Sequence, residues 1–174
     1  MHIVTMLGNS QTGKSGLCTQ WSGGLPSTSY MTTIEIESHF FDGLTILDTP
    51  SSARVHFNVD KLCKRTHLFI LVSNIDESHY EWYDRIGVDY PDIPFLLILN
   101  GSQTFPKSRL WALSNDIRVF QVDLKIGHRI SESMDYLVEM LSSIEPSSDS
   151  VDLTAGYLGF VTFPFLDVLY SSCV

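Results

Sequence analysis

A glycine-rich octapeptide constrains the fold of this 174-residue chain more than any other feature. Residues 8–15 read GNSQTGKS and follow the pattern G-x-x-x-x-G-K-[ST] of a phosphate-binding loop. The apolar run before it, His2–Leu7, is typical of a buried strand, and Lys14–Trp21 can form a helix. Because a loop between a strand and a helix N-terminus turns its backbone N–H groups toward an anion, the pattern predicts an α/β nucleotide-binding domain.

The residue types of the loop each match a chemical task in phosphate binding. The glycines let the backbone wrap around the phosphates, Lys14 reaches the terminal phosphates, and the Ser15 hydroxyl can ligate Mg²⁺. The loop residues predicted to bind the nucleotide are Gly8, Ser10, Gln11, Thr12, Gly13, Lys14, Ser15 and Gly16.

Strand-like and helix-compatible segments alternate along the rest of the chain. Strands are predicted at residues 2–7, 34–41, 44–48, 67–73, 94–100 and 117–122, and helices at 14–22, 58–65, 77–86, 107–115 and 130–143. The segments 67–73 and 94–100 are continuously apolar, which is typical of parallel strands covered on both faces. The sequence therefore predicts a doubly wound, mostly parallel six-stranded sheet with helices on both faces, the fold of P-loop NTPases.

Composition and the C-terminal region define the domain organisation. We expect one nucleotide-binding domain at residues 1–144, then a Ser-rich linker and hydrophobic extension at 145–174. The uncharged segment 153–166 is too short to span a bilayer. Two alternatives stay open for the extension, namely packing or partner docking, and peripheral membrane contact through residues 153–170. Cys173 is followed by one residue, whereas prenylation of a C-a-a-X motif requires three.

Charge and cysteine usage exclude several classes of function. The net charge of −9 and the absence of a basic block in the sequence argue against a nucleic-acid partner. Three widely separated cysteines and no secretion signal predict a cytoplasmic protein, with association to an intracellular membrane as the alternative. The histidines lack metal-ligand spacing with cysteine or carboxylate, so the sequence predicts no zinc site.

Two further segments fit a site built around the loop. Residues 46–48 form a strand end that terminates in Asp48, the place from which P-loop proteins hold Mg²⁺. Residues 30–35 form a polar segment that can fold over a nucleotide and offer a threonine hydroxyl. The alternatives are an aspartate that only starts a turn and an ordinary surface loop.

In the order and spacing of these motifs, residues 1–143 resemble the small GTPases of the Ras superfamily, and residues 33–35 are most similar to the Rab branch. The resemblance implies a P-loop fold of the small GTPase type. It implies that Thr33 is the switch I threonine, and that Mg²⁺ is held by Ser15, Thr33 and Asp48. It also places residues 48–51 at switch II, Asn100 and Gln103 in the guanine-recognition motif, and Lys125 along the base.

Several residues depart from the family pattern. Ser51 replaces the glycine whose N–H contacts the γ-phosphate, and Ser52 stands where the catalytic glutamine orients water, which implies slow hydrolysis. Gln103 replaces the aspartate that accepts hydrogen bonds from guanine, Gly101 replaces the neighbouring lysine, and Pro26 stands at a position that is usually aromatic. An amide lacks the charge assistance of a carboxylate, so guanine selectivity should be weaker.

The sequence thus predicts a GTP- and GDP-binding regulatory or vesicle-trafficking switch that uses Mg²⁺. Hydrolysis is expected to be slow or to depend on a partner, and effector or regulator proteins are expected to bind through residues 23–58. A second hypothesis is an inactive pseudo-GTPase that acts as an interaction or decoy module. A third is an ATP-using P-loop enzyme.

Overall fold

A six-stranded sheet forms the centre of the computed structural model, which describes residues 1–25, 33–41, 43–51 and 62–144. The strands are β1 (His2–Leu7), β2 (Glu37–Phe41), β3 (Leu44–Asp48), β4 (Leu68–Ser73), β5 (Phe95–Asn100) and β6 (Arg118–Val122). The helices with both ends in these ranges are α1 (Lys14–Trp21), α2 (Tyr80–Ile86), α3 (Pro106–Ser114) and α4 (Ile130–Ser142).

The sheet has the strand order β2-β3-β1-β4-β5-β6. β1 lies between β3 and β4 and is parallel to both, and β4, β5 and β6 continue the parallel pairing. Only β2 among these strands runs antiparallel, against β3, with Glu37 opposite Asp48 and Phe41 opposite Leu44. The prediction of an α/β domain with a mostly parallel six-stranded sheet is confirmed.

Apolar side chains cover both faces of the sheet. Along β4, Leu68, Ile70 and Val72 pack in one cluster with α1 and α4, whereas Phe69 and Leu71 pack in a second cluster with α2 and α3. Because side chains of a strand alternate between faces, a continuously apolar strand serves both clusters at once. Helices therefore lie on both faces, as the apolar runs predict.

Two elements begin three residues later than predicted, each for a local reason. β2 begins at Glu37 rather than residue 34, because β3 ends at Asp48, opposite Glu37, and provides no partner beyond it. α2 begins at Tyr80 rather than residue 77, because Glu77 has φ +72°, a left-handed conformation that a helix does not accommodate.

Some predictions fall on residues outside the described ranges. Pro26, Ser52 and residues 145–174, which include Cys173, lie there, as does the first half of the predicted helix at 58–65. Within the described part of the chain, no helix has the length and apolarity needed to cross a membrane.

Candidate functional site

We call residues 8–15 the phosphate-binding loop after their sequence pattern; they join β1 to α1 at the carboxyl end of a central strand. Gly8 has φ +149° and Gly13, which precedes the first residue of α1, has φ +105°. A Cβ on Gly8 would lie 2.3 Å from the Val72 carbonyl oxygen, and one on Gly13 would lie 2.5 Å from Asn100 Nδ2. Both positions therefore require glycine for their backbone conformation and for close packing against neighbouring strand ends.

The Lys14 side chain lies against the loop. It is 7% exposed, and its ammonium donates hydrogen bonds to the carbonyl oxygens of Gly8 at 2.8 Å and Asn9 at 3.0 Å. Ser10 and Gln11 are exposed on the same loop, whereas Thr12 is buried. The arrangement keeps a cation beside main-chain groups that can surround an anion.

Three predicted magnesium residues from separate segments come together beside the loop. Ser15 Oγ donates a hydrogen bond of 2.5 Å to Asp48 Oδ2. Ser15 Oγ also lies 2.9 Å from Thr33 Oγ1. Since the single Ser15 proton points to Asp48, the Thr33 hydroxyl is the donor to Ser15. Two hydroxyls and one carboxylate form an oxygen donor set of the kind that Mg²⁺ prefers.

The surroundings of Asp48 shift the pKa of its carboxyl in opposite directions. It is 0% exposed, and burial raises the pKa of its carboxyl, as does the Glu37 charge, whereas the Ser15 hydrogen bond and the Lys14 ammonium lower it. Among the described residues, its Oδ1 atom has no hydrogen-bond partner. A buried carboxylate with one unsatisfied oxygen is costly, and a cation would compensate that cost.

Side chains that the sequence motif does not specify hold the loop from one side. Asn9 accepts a hydrogen bond from Trp82 Nε1 at 3.0 Å and donates to the Ser78 carbonyl oxygen at 3.2 Å. Asn74 Nδ2 donates to the Gln11 carbonyl oxygen at 3.0 Å. Asn9 occupies a variable position of the motif, and Trp82 lies 73 residues away from it, so the motif does not predict this contact. The one signal in the sequence is that a buried tryptophan usually needs a hydrogen-bond partner for its indole N–H.

Asn100 holds the loop from the other side. Its Nδ2 donates to the Thr12 carbonyl oxygen at 2.9 Å, and its Oδ1 accepts from the Leu124 N–H at 3.2 Å. The first residue of the predicted base motif thus connects the phosphate loop to the segment after β6. This position suits an amide because one side chain must donate and accept.

The other predicted base-contacting residues are less closely joined to the loop. Gln103 Nε2 donates to the Asn74 carbonyl oxygen at 2.8 Å. Lys125 is exposed, and its backbone N–H donates to Asp123 Oδ1 at 3.0 Å. Gly16 lies in the first turn of α1. Ser51 is described next to the site, but Ser52 is not.

Strand register adds a second group of side chains at Asp48. Potential ligand atoms of Glu37, His39 and Asp48 all lie within 4.8 Å of one another. The prediction of no zinc site considered only spacing along the chain, whereas the antiparallel pairing of β2 and β3 brings these residues together in space.

Comparisons of this chain with protein-family models and with curated proteins gave no significant match.

Proposed function

We propose that the chain is a P-loop protein of the small GTPase type that binds GTP and GDP with Mg²⁺ and acts as a regulatory or vesicle-trafficking switch. The observation that carries this proposal is the convergence of Ser15, Thr33 and Asp48 beside Lys14. A loop with the phosphate-binding pattern at the end of a central parallel strand supports it. So does the order of the motifs along the chain.

Each residue has a definite task in this proposal. Ser15, Thr33 and Asp48 would hold Mg²⁺, which when bound neutralises charge on the β- and γ-phosphates. Lys14 would exchange its carbonyl partners for phosphate oxygens and contribute a charge-assisted hydrogen bond. The loop N–H groups would bind the remaining phosphate oxygens.

The proposed reaction is attack of water on the γ-phosphorus of GTP, which yields GDP and inorganic phosphate. Ser52 stands where the resembled family has a glutamine, and its side chain is too short to orient that water in the same way. We therefore expect slow hydrolysis unless a partner supplies the missing group, for example an arginine directed at the γ-phosphate.

Base selectivity depends on Gln103 in this proposal. Its amide N–H group is bound to the Asn74 carbonyl oxygen, which leaves the amide oxygen to accept a hydrogen bond from a guanine N–H. One neutral acceptor discriminates less than a carboxylate, so we expect preference for GTP over ATP to be modest.

A second candidate function is an interaction module that binds partners through residues 23–58 without turnover. The replacement of both switch II residues by Ser51 and Ser52 favours it, because these positions sense and hydrolyse the γ-phosphate in the resembled family. An ATP-using enzyme is the third alternative.

A nucleotide titration tests the proposal and separates the alternatives. Fluorescently labelled GTP, GDP and ATP are titrated with the full chain, with and without Mg²⁺, and phosphate release is then followed. Mg²⁺-dependent binding that favours guanine nucleotides is the expected result. Tight and selective ATP binding, or no binding at millimolar nucleotide, would contradict the proposal.

The Lys14→Ala variant tests whether the nucleotide binds at the phosphate-binding loop. Loss of one charge-assisted contact to phosphate should weaken nucleotide binding about 10- to 100-fold. Lys64→Ala is the matched control, because Lys64 is exposed and lies outside the loop. Equal affinity of Lys14→Ala and the unchanged protein would show that the site is wrongly assigned.

A further inference from the structure

Three side chains with metal-binding groups meet where β2 pairs with β3. Glu37 lies directly opposite Asp48 in the antiparallel register, and His39 lies two residues further along β2. Because alternate residues of a strand face the same side, Glu37 and His39 share the face that approaches Asp48. Their potential ligand atoms lie within 4.8 Å of one another.

Asp48 and His39 each have a buried polar atom without a hydrogen-bond partner among the described residues. Asp48 is fully buried, and its Oδ2 is bound by Ser15, while its Oδ1 has no hydrogen-bond partner within the described part of the chain. His39 Nε2 is also buried without a partner among the described residues. Buried polar atoms are nearly always hydrogen-bonded in native proteins, so these two atoms on adjacent strands are candidates for binding one ligand together.

From this geometry we propose that Glu37, His39 and Asp48 form a binding site for a divalent transition-metal ion of the zinc type. One imidazole nitrogen and two carboxylates match the ligands of zinc, which keeps a fourth position for water in such three-ligand sites. Magnesium and calcium prefer oxygen ligands alone, so the histidine favours zinc at this position.

Only a small rearrangement is needed to close the ligands on the ion. Tetrahedral ligands at zinc distances lie about 3.4 Å apart, compared with the present limit of 4.8 Å. Glu37 is exposed and free to change rotamer, whereas Asp48 is held by Ser15. The exposed carboxylate would therefore move toward the buried one.

This site goes beyond the proposed nucleotide function and does not depend on it. Its three ligands lie on β2 and β3, and none comes from the phosphate-binding loop. Asp48 belongs to both sites through different oxygens, Oδ2 toward Ser15 and Oδ1 as the unsatisfied atom. The metal alone, without nucleotide, is thus the appropriate probe.

The test is calorimetric titration of the full chain with Zn²⁺ under reducing conditions, together with Co²⁺ as a spectroscopic probe. We expect one equivalent to bind and Co²⁺ to develop visible absorption of a four-coordinate site. His39→Gln should weaken binding at least about tenfold and abolish that absorption, since it removes the nitrogen ligand. His128→Gln is the matched control, because His128 is exposed and outside the cluster.

Two further variants make the result decisive. Glu37→Gln should also weaken binding, and because Glu37 is exposed its fold should be intact by circular dichroism. Glu81→Gln, at an exposed carboxylate outside the cluster, is the matched control for Glu37→Gln and should bind Zn²⁺ like the unchanged protein. No stoichiometric binding, or equal affinity of His39→Gln and the unchanged protein, would overturn the proposal.

Discussion

At the scale of single residues, Asp48 shows that the site is built at the expense of stability. Its carboxyl is buried, and burial raises its pKa, so the folded protein disfavours the charged form that a cation requires. A carboxyl whose pKa is raised by folding destabilises the folded protein fully at pH values above its folded-state pKa. This destabilisation is lost as the pH falls from the folded-state pKa to the pKa of the unfolded chain. In the absence of cations, Asp48 therefore opposes folding at neutral pH.

Asp48→Asn should consequently stabilise the metal-free protein while impairing the site. We expect the free energy of unfolding at pH 7 to rise by about 1 kcal/mol and Mg²⁺-dependent nucleotide affinity to fall. Urea denaturation with EDTA measures the first effect, and the gain should shrink toward pH 4. Asp89→Asn, at an exposed position, serves as the control and should change little. Lower stability of Asp48→Asn at pH 7 would contradict this account.

His79 introduces a pH dependence of the opposite kind. It is 1% exposed, contacts the rings of Tyr80 and Trp111, and among the described residues neither ring nitrogen has a hydrogen-bond partner. Burial lowers the pKa of His79 to about 4, against the opposing charges of Asp76 and Glu77. As pH falls, His79 therefore takes up a proton near pH 6.5 in the unfolded chain, whereas in the folded protein it stays neutral until about pH 4.

Stability should thus fall as pH decreases from about 6.5 to about 4. His79→Phe should flatten this part of the profile, because it removes the titrating group and keeps an aromatic ring. Urea midpoints at pH 7 and pH 5 measure the change, with the exposed His128→Gln as control. If His79→Phe shows the same loss between these pH values as the unchanged protein, His79 is not the group responsible.

At the scale of elements, the phosphate loop depends on contacts from helices and strand ends that are distant in sequence. α2 contributes Trp82, whose indole N–H binds Asn9, and β5 contributes Asn100, which binds Thr12. Loops with few backbone hydrogen bonds of their own need such contacts to keep one conformation. The geometry of the loop is therefore a property of the surrounding elements.

Trp82→Phe tests this dependence. It removes the hydrogen bond to Asn9 and keeps most of the buried aromatic surface, so we expect a loss of about 1–2 kcal/mol in stability and weaker nucleotide binding. Trp111→Phe is the matched control, since Trp111 packs against His79, Tyr80 and Tyr83 rather than the loop. Unchanged nucleotide affinity in Trp82→Phe would show that the loop does not need this contact.

Elements of this protein differ in how far the sequence predicts them. β4 and β5 are evident because a continuous apolar run has few alternatives to a strand covered on both faces. The start of β2 was missed because it depends on where β3 ends, and the start of α2 because of the left-handed Glu77. The grouping of Glu37, His39 and Asp48 depends on cross-strand register, which spacing along the chain does not reveal.

At the scale of the whole molecule, residues 1–144 include every element that the structure describes. The two apolar clusters on the faces of the sheet are formed by residues of this part of the chain, with Ile144 packed at the border of one cluster. A domain of this size can bury enough apolar surface to fold without disulfides or structural metals. The predicted boundary at residue 144 can therefore be tested directly.

A chain truncated after Ile144 should unfold cooperatively, with a Tm within about 4 °C of the full chain, which corresponds to about 1–2 kcal/mol for a domain of this size. Nucleotide affinity should be the same. Differential scanning calorimetry and the nucleotide titration provide the comparison, with the full chain as reference. A broad, non-cooperative transition would show that residues 145–174 belong to the folding unit.

The hydrogen bond between Asn100 and Thr12 joins residues 88 positions apart. During synthesis on the ribosome, residues 8–15 are thus translated long before the amide that holds them. The nascent chain cannot offer a finished binding loop until β5 has emerged and docked beside β4. Capture of the proposed nucleotide would then require a completed sheet, and binding would favour mature molecules over partly folded ones.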